Sequence, residues 1–408
     1  MASQIVPVHL KPGKEKMPRL FHPWIFSGAI IDGDRKILQN LSGKVNSQVL
    51  ARVNDSRGNF LAWGIINPRS QILIRLVDWY ESLPDLTKLF TQLFLQAFRF
   101  RINLGLVDSP QTSGCRLVFS ESDGIPGIIV DKIGNYIIVQ IEVAGMESFR
   151  SLILECLISA VKTTMPGVLG IWEQSDGDGR SLEGLPKHEE LVWGEEPGEE
   201  ISFYENSLTF LAHPRGQKTG FYFDQRENRK LFSQYVKGIS VTDVCSYSGG
   251  FSIYAGIAGA KSLHMVDNSA SALSLARANL QLNGLSAQFT QADAFEFLRS
   301  LPSSSQEALV FDPPKLVPSR KTLDRGLRAY KDGNLHSIRA LVPGGILATF
   351  SCSGLVSQET FEEVFSYAAK DSGKRVQILH RLHQAPCHPV LTSFPEGRYL
   401  KGIIARIL

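Results

Sequence analysis

Two side chains in the sequence could do chemistry on a nucleobase, and each follows a segment with the character of a β-strand. Cys352 lies in the run TFSCSG at 349–354, after an apolar segment and before a helix-like one. Asp312 begins the run DPPK at 312–315. A thiolate that adds to carbon 6 of a pyrimidine makes carbon 5 nucleophilic enough to attack an activated methyl group. Cys352 and Asp312 therefore predict an enzyme that methylates a base through a transient covalent bond.

The surrounding residues narrow this chemistry. The Cys352 thiol must lose its proton, because a free thiol has a pKa of about 8.5. Asp312 could hydrogen-bond nitrogen 3 of the ring and stabilise the charge that develops there. Pro313 and Pro314 stiffen the edge and leave carbonyl oxygens that can hold a base drawn out of its stack. Methyltransferases that modify exocyclic amines end a similar motif in an aromatic residue; Lys315 stands here, which disfavours amine methylation.

The cysteines also have a purely structural interpretation, since unpaired cysteines are commonly buried. By this interpretation Cys352 itself is a small buried residue at the end of a strand. Cys115, Cys156 and Cys245 are predicted to be structural. Cys387 has a neighbouring histidine in the run APCHP, but no paired carboxylate motif accompanies it. We therefore predict Cys352 as the nucleophile.

Three acidic residues mark a second pocket at the ends of three successive predicted strands. Asp243 begins the run DVCSYSGGF at 243–251, Asp267 ends the second strand, and Asp293 follows the third. The glycine spacing fits neither a dinucleotide site nor a P-loop. An aspartate after a strand is often a helix N-cap, and Asp293 suits that role well. Together, however, the three match the S-adenosylmethionine site of class I methyltransferases, with Asp267 on the ribose and Asp293 on the adenine.

The elements that position these residues alternate between strand and helix from about residue 241 onward, which predicts a doubly wound α/β domain. Strands are expected at 240–244, 262–267, 287–290, 308–312 and 345–350, followed by a final antiparallel pair at 375–382 and 398–407. Residues 1–76 read as short strands, and 77–200 as a small α+β unit that begins with a long amphipathic helix at 86–104. Residues 176–184 and 189–200 are predicted to form loops around short strands.

Composition excludes several other classes. The chain has 408 residues, of which 43% are hydrophobic and 20% charged, as in ordinary globular proteins. No apolar run reaches the roughly 18 residues of a membrane span, and residues 1–16 lack the apolar segment of a secretory signal. The five cysteines form no Cys-x-x-Cys pair, so neither a metal site nor a disulfide framework is expected. A reducing cytoplasm suits a nucleophilic thiol.

Charge is distributed unevenly along the chain. Residues 1–76 contain 11 Lys and Arg but only 4 acidic residues, a balance of +7, whereas the whole chain carries +3. The remainder is therefore slightly acidic. A basic N-terminal module on such a body is typical of a protein that binds a polyanion such as RNA, although a basic module without a ligand fits the charge equally well.

Several long strings resemble the bacterial ribosomal RNA large-subunit methyltransferase I family of cytosine-C5 enzymes. They are HPWIFSG at 22–28, ESDGIPG at 121–127, KTGFYFDQR at 218–226, DPPK at 312–315, YKD at 330–332, TFSCSG at 349–354 and FPEGRYLKG at 394–402. The resemblance runs nearly end to end. The cofactor loop departs from it at Cys245 and Ser248, with little expected effect, and 175–184 is divergent, which leaves RNA contacts there open.

The resemblance implies an α/β fold in which a Rossmann-like methyltransferase domain at 201–408 follows a PUA-like RNA-binding module at 1–76 and a central α+β domain at 77–200. It also implies Cys352 as nucleophile, in a catalytic set with Asp312 and Lys315. The predicted cofactor-binding set is Thr219, Gly220, Tyr222, Asp224, Gln225, Arg226, Asp243, Ser246, Tyr247, Gly249, Asp267, Asn268, Asp293, Ala294, Phe295, Asp312 and Pro313. The predicted RNA contacts are Pro313, Pro314, Tyr330, Lys11, Arg19, His22 and Trp24. Lys315 and Tyr330 are expected to shape the pocket rather than to carry protons.

These observations predict an S-adenosylmethionine-dependent enzyme that forms 5-methylcytosine in large-subunit ribosomal RNA, with no membrane partner and with a homodimer left open. Uracil-C5 methylation is the alternative within the class, because the covalent route serves both bases. A ribosome assembly factor that binds RNA without turnover is the alternative from another class. A small-molecule methyltransferase is a weaker alternative, because the basic module would then have no partner.

Overall fold

The computed structural model describes residues 4–40, 48–216 and 219–408. The chain divides into two compact units. The first unit contains Met1–Ile201, His213–Gly220 and Cys387–Gly397, and the second contains Ser202–Ala212, Phe221–Pro386 and Arg398–Leu408. Lys218, which the resemblance places near the methyl donor, lies outside the described residues.

The first unit opens with a five-stranded sheet in the order β1-β3-β4-β5-β2. Its elements are β1 (Gln4–His9), α1 (Lys16–Arg19), β2 (Trp24–Phe26), α2 (Asp32–Asn40), β3 (Val49–Asn54), β4 (Phe60–Ile66) and β5 (Ile72–Asp78). Apolar β-branched residues such as Val8, Val53 and Ile74 form its core. The β-rich module that the sequence predicts for residues 1–76 is confirmed.

The rest of the first unit is a second five-stranded sheet, in the order β10-β9-β8-β7-β6, with helices. Asp85 caps the long α3 by accepting a hydrogen bond from the Lys88 amide, and Phe90, Phe94 and Phe98 recur on its buried face. The elements are α3 (Leu86–Asn103), β6 (Gly114–Phe119), β7 (Ile128–Ile133), β8 (Tyr136–Ile141), α4 (Ala144–Glu147), α5 (Arg150–Thr164), β9 (Gly170–Ser175), α6 (Asp178–Leu182) and β10 (His188–Gly194).

One loop prediction in this unit is wrong. Residues 176–184 contain the short helix α6, whereas β10 supplies the short strand that was expected within 189–200. A helix of five residues is too short to show periodicity in the sequence. Tertiary contacts hold it instead, because the buried Arg180 forms an ion pair with Glu147 at 2.7 Å.

The second unit is built on a seven-stranded sheet in the order β15-β14-β13-β16-β17-β19-β18. The first five strands of this order are parallel, and β19 runs antiparallel to both of its neighbours. The elements are β11 (Ile201–Glu205), β12 (Leu208–Ala212), α7 (Arg226–Ser233), β13 (Ser240–Val244), α8 (Gly250–Ile257), β14 (Ser262–Asp267), α9 (Ala270–Leu282), β15 (Gln288–Gln291), α10 (Ala294–Ser300), β16 (Gln306–Phe311), α11 (Leu323–Ala340), β17 (Leu341–Ser351), α12 (Gln358–Ser372), β18 (Val376–His383) and β19 (Lys401–Ile407).

This arrangement confirms the predicted doubly wound domain and its final antiparallel pair. The central strands are buried, as expected of parallel strands covered by helices on both faces. The chain winds from β13 to one side through β14 and β15 and to the other through β16 and β17. Such a reversal opens a crevice at the carboxyl ends of the strands, where ligands bind in this class of sheet. In the described ranges, no helix is both long and apolar enough to cross a lipid bilayer.

Candidate active site

The sheet of the second unit brings the predicted pockets to one edge. In the parallel registers, Val244 pairs with both Val266 and Phe311, and Phe311 pairs with Thr349. The loops that follow β13, β14, β16 and β17 therefore leave the sheet on the same side. Cys352 and Asp312 belong to these loops, as do Ser246, Tyr247, Gly249 and Asn268 of the set predicted to bind the cofactor.

The loop after β13 has a strained backbone. Cys245 and Tyr247 have positive φ angles of 64° and 45°, which side chains other than glycine seldom adopt. Gly249 has a φ of 84°, and a Cβ atom there would stand 2.5 Å from Met265 Cε. The hydroxyl of Ser246 is buried and meets no hydrogen-bonding partner among the described residues. A tight loop with an unsatisfied buried hydroxyl is what a site for a polar ligand requires.

Asp267, at the end of β14, is held by two backbone amides. Its Oδ2 accepts from the Tyr247 amide and its Oδ1 from the Ser269 amide, each at 2.9 Å. The carboxylate is half-buried and tied to the β13 loop, so it can present its oxygens to paired hydroxyl groups such as those of a ribose. The exposed Asn268 lies beside it and accepts from Gln291 through its backbone carbonyl.

Asp293 caps the N-terminus of α10, as its interpretation as a helix N-cap predicts. Its Oδ1 accepts from the amides of Phe295 and Glu296 at 2.9 and 3.0 Å. The cap involves one oxygen of an exposed carboxylate, so it is compatible with the adenine contact, which stays a prediction. Ala294 and Phe295 are half-buried, and the Phe295 ring meets Phe311 edge-on.

Asp243 lies beneath the loop rather than in the crevice. It is fully buried, and its Oδ2 accepts from the amide and hydroxyl of Ser252 at 3.2 and 2.8 Å. Burial raises the pKa of Asp243 to about 6. This carboxyl group therefore anchors the first turn of α8 to the strand that carries the cofactor loop.

The segment before α7 connects the cofactor loop with the DPPK edge. Gln225 donates from Nε2 to Asp312 Oδ2 at 2.9 Å, and Asn228 donates to Gln225 Oε1 at 2.6 Å. The Tyr222 ring meets the Tyr247 ring edge-on, with centroids 5.2 Å apart. Burial, followed by the nearby groups of Tyr247, Asp224, Asp312 and Cys352, raises the pKa of Tyr222. Tyr222 is therefore a neutral hydroxyl donor.

Other members of the predicted cofactor set are buried or belong to the first unit. Asp224 is buried and accepts from the Tyr399 hydroxyl. The buried Arg226 forms an ion pair with Glu205 at 3.2 Å, a partnership that keeps its guanidinium inside the second unit. Thr219 and Gly220 belong to the first unit, where the buried Thr219 hydroxyl bonds to the carboxylate of Asp131.

At the reacting edge, Cys352 Sγ lies 4.0 Å from the carbonyl oxygen of Pro313. Cys352 and Asp312 are half-buried, Pro313 is buried, and Pro314 and Lys315 are exposed. The thiol predicted as the nucleophile and the predicted base-holding motif are thus neighbours.

The Cys352 loop is fixed from inside the fold by Ser353. Ser353 Oγ accepts from the Val317 amide at 3.1 Å and is 2.9 Å from the Tyr330 hydroxyl. Tyr330 is fully buried. It therefore supports the Cys352 loop from inside the fold. Its ring is not exposed for the RNA contact that was predicted for it.

The remaining cysteines sit in different surroundings. Cys115, Cys156 and Cys387 are buried in the first unit, and Cys387 Sγ lies 3.2 Å from His388 Nδ1. Burial raises the pKa of both Cys156 and Cys245. A buried thiol is harder to ionise, so Cys352 is the best placed of the five for nucleophilic attack.

The residues predicted to contact RNA in the first unit differ in exposure. Arg19 is exposed and pairs with Asp55 at 2.9 Å, and the half-exposed Lys11 lies 3.5 Å from Asp32. His22 is buried and lies 3.3 Å from Glu396. Trp24 is half-buried, donates to Glu121 and packs on Phe394. The exposed cations are better placed for RNA contact than His22 or Trp24, whose side chains form internal contacts.

Sequence reasoning missed Lys401 and Tyr399 as site residues. Both lie in the string FPEGRYLKG, which carried the resemblance but received no chemical role. Tyr399 reaches Asp224, and Lys401 donates to the Ser353 carbonyl next to Cys352. Within the part of the chain that the structure describes, no group of His, Cys, Asp and Glu side chains is arranged to hold a metal ion.

Comparison with known proteins agrees with this geometry. Residues 8–79 match the family model of a PUA-like domain, and residues 174–391 match that of an S-adenosylmethionine-dependent methyltransferase. A protein assigned as a SAM-dependent methyltransferase from Streptococcus mutans shares the fold at a TM-score of 0.79 and 17% identity, over 98% of this chain and all of that one. Another protein assigned as a methyltransferase, solved with SAH, aligns at a TM-score of 0.80 and 16% identity over 99% of this chain and 100% of that one. The fold and the site thus define an S-adenosylmethionine-dependent methyltransferase.

Relatives over the full length narrow the assignment. Proteins named ribosomal RNA large subunit methyltransferase I from Shewanella frigidimarina and Pseudoalteromonas atlantica are 36% and 37% identical to this chain, over 98% of it and 99% of each relative. The chain belongs to the ribosomal RNA large subunit methyltransferase I family. The predicted family and the predicted cofactor are confirmed.

The residues around the crevice fit that cofactor. Asp267 suits the ribose hydroxyls, the Ser246 hydroxyl lacks a protein partner among the described residues, and the loop between them allows close approach of a ligand. Bound S-adenosylmethionine supplies a methyl group on a positively charged sulfur, which makes that group open to attack by a carbon nucleophile.

Proposed function

We propose that this protein methylates carbon 5 of a cytosine in large-subunit ribosomal RNA, with Cys352 as the covalent nucleophile. The position of Cys352 carries the proposal, because its sulfur lies 4.0 Å from the Pro313 carbonyl oxygen, on the same sheet edge as the cofactor loop. The names of the full-length relatives, the PUA-like match and the basic character of residues 1–76 support ribosomal RNA as the substrate.

Each residue of the reacting edge has a separate role in the proposed reaction. The Cys352 thiolate bonds to carbon 6 of the flipped base, and the ring electrons make carbon 5 the nucleophile that accepts the methyl group. A base then removes the proton from carbon 5, the carbon–sulfur bond breaks and the thiolate returns. Asp312, held by Gln225, orients the ring through its polar edge, and the Pro313 and Pro314 carbonyls border the same position.

The contact that Asp312 makes depends on the base and on the protonation state of its carboxyl group. A carboxylate accepts from the exocyclic amine of cytosine or from N3–H of uracil, whereas only a protonated carboxyl can donate to N3 of cytosine. The relatives' names do not state the base. We propose cytosine, and the appearance of a gene-dependent 5-methyluridine in the ribosomal RNA would contradict that choice.

Trapping of the covalent adduct tests the proposal. RNA that carries 5-fluorocytidine at the target cannot lose fluorine as a cation, so the carbon–sulfur bond should persist after methyl transfer. We expect a denaturation-resistant complex with the wild-type protein and with Cys387→Ser, and none with Cys352→Ser. Mass spectrometry should locate the RNA on the peptide that contains Cys352. A complex that survives Cys352→Ser would contradict the assignment of the nucleophile.

Mapping of methylation on ribosomal RNA tests the substrate. RNA from cells with the gene, without it, and with Cys352→Ala should differ at one 5-methylcytosine, present only with the wild-type gene. An assembly factor without turnover predicts instead that Cys352→Ala leaves both the RNA and every cellular role unchanged. Methylation of a small molecule alone, with no change in the RNA, would also refute the proposal.

A further inference from the structure

Lys401, the first residue of β19, is a lysine buried beside the reacting edge. Its side chain is about 2% exposed, and its ammonium donates to the backbone carbonyls of Ser353 and Tyr399 at 2.6 and 2.7 Å. Among the described residues, no carboxylate forms an ion pair with it. A buried cation without an anionic partner is costly, so its presence here points to a role beyond packing.

The strand register brings this lysine to the nucleophile. β17 and β19 are antiparallel, and Lys401 pairs with Ser351, the last residue of β17. Cys352 follows directly, and the carbonyl that accepts from Lys401 belongs to the next residue, Ser353. Ser353 also binds the Val317 amide and the Tyr330 hydroxyl through its own side chain. The Lys401 side chain therefore lies beneath the turn that carries the Cys352 sulfur.

The charged and titratable groups around Lys401 have opposing effects on its pKa. Burial lowers the pKa of Lys401 to about 8, Cys352 opposes this shift, and Lys315 adds to it. Tyr330 also lies near Cys352, and burial raises its pKa, so it stays neutral. His383 pairs with Lys401 across β18 but is exposed. At neutral pH the lysine is therefore mostly charged. The Cys352 thiol is the nearby group that can ionise to an anion beside it.

We propose that Lys401 is a positioning residue that fixes the Cys352 turn through the Ser353 carbonyl and favours the thiolate form of Cys352. The inference rests on the proposed function, in which that thiolate attacks the base. Because an opposite charge nearby favours an ionised group, the lysine and the thiolate stabilise each other. The thiol proton passes to solvent, and no further reactant is needed.

Lys374 provides a matched control. It also donates to two backbone carbonyls, those of Arg339 and Leu341, and burial likewise lowers its pKa. It lies at the opposite end of β17, which is about 35 Å long at the usual rise per strand residue. Lys374→Met therefore removes a similar carbonyl contact in the same unit without affecting Cys352.

The test measures alkylation of Cys352 by iodoacetamide as a function of pH, followed on the Cys352 peptide by mass spectrometry. Lys401→Met and Lys401→Gln should each raise the midpoint of this curve by about one pH unit, which slows alkylation about tenfold below the midpoint. Lys401→Arg and Lys374→Met should keep the wild-type midpoint. Circular dichroism verifies that each variant is folded, and Lys401→Gln decides the outcome if Lys401→Met does not fold.

Two results would overturn the inference. An unmoved midpoint in both neutral variants would show that Lys401 does not affect ionisation of the thiol. A wild-type midpoint in Lys401→Gln but not in Lys401→Met would assign the effect to hydrogen bonding instead of charge. Because alkylation uses neither RNA nor methyl donor, either result is separate from a failure of the adduct trap, which would refute the proposed function itself.

Discussion

Gln225→Glu places a second carboxyl group against Asp312 and tests the contact that links the α7 segment to the reacting edge. The Gln225 amide donates to Asp312 at 2.9 Å, so the replacement exchanges a donor for a like charge at nearly the same place. At this separation an effective dielectric of about 20 gives a repulsion of ~6 kcal/mol. Asp312 is half-exposed, and we halve that figure for screening by solvent, which leaves about 3 kcal/mol, or about two pKa units.

The sign of the pH effect follows from proton uptake. Two adjacent carboxyl groups retain one shared proton in the folded protein up to a pH of about 6, whereas the unfolded chain releases it near about 4. The folded state then binds more protons than the unfolded state between these values. The stability of Gln225→Glu relative to wild type should therefore fall by about 3 kcal/mol as pH rises through this window.

Chemical denaturation at several pH values between 4 and 7 measures this difference. The carboxyl of Asp243 also titrates here, but it is present in both proteins and cancels from the comparison. Gln377→Glu is the control, since Gln377 is exposed on β18 opposite Arg406. A difference between Gln225→Glu and wild type that does not vary with pH would refute the contact between Gln225 and Asp312.

Three further predictions concern the same unit. Asp267→Asn should weaken S-adenosylmethionine binding about tenfold in calorimetry, because the amide is a poorer acceptor for ribose hydroxyls. It should also lower the thermal unfolding temperature, because the side-chain NH2 group cannot accept a hydrogen bond and the Tyr247 and Ser269 amides cannot both keep their acceptor. Asp243→Asn should remove the part of the pH dependence that Asp243 contributes between pH 4 and 6. Burial raises the wild-type pKa to about 6, so this carboxyl group makes the wild type lose stability as pH rises through this range, and melting at several pH values should show a smaller loss in the variant. Gly402→Ala should destabilise by about 1–3 kcal/mol, because the new Cβ would stand 2.5 Å from Phe350 Cδ1, and Phe350→Leu should restore part of that loss in denaturant titrations.

Local sequence determined much of the fold. Strands β13 and β14 have the predicted ends, because short apolar runs bounded by Gly, Asp and Ser leave few alternatives. The Asp293 cap was equally visible, since an aspartate before a helix bonds only to amides two and three residues ahead. The sequence also predicts that Cys352 and Asp312 act together, because each of them follows a predicted strand. The helix α6 was not predicted, because it depends on contacts with residues that are distant in the chain.

The contacts within the site were decided by tertiary structure alone. Gln225 and Asp312 are 87 residues apart, and Lys401 is 48 residues from Ser353. The register of β19 against β17 brings Lys401 beneath Cys352, and a shift of one residue would turn the lysine to the other face of the sheet. Such a register is set by packing against distant strands, as where Gly402 makes room for Phe350. The sequence by itself therefore determined which residues could react, and only the pairing of distant strands decided which cation stands beside the thiol.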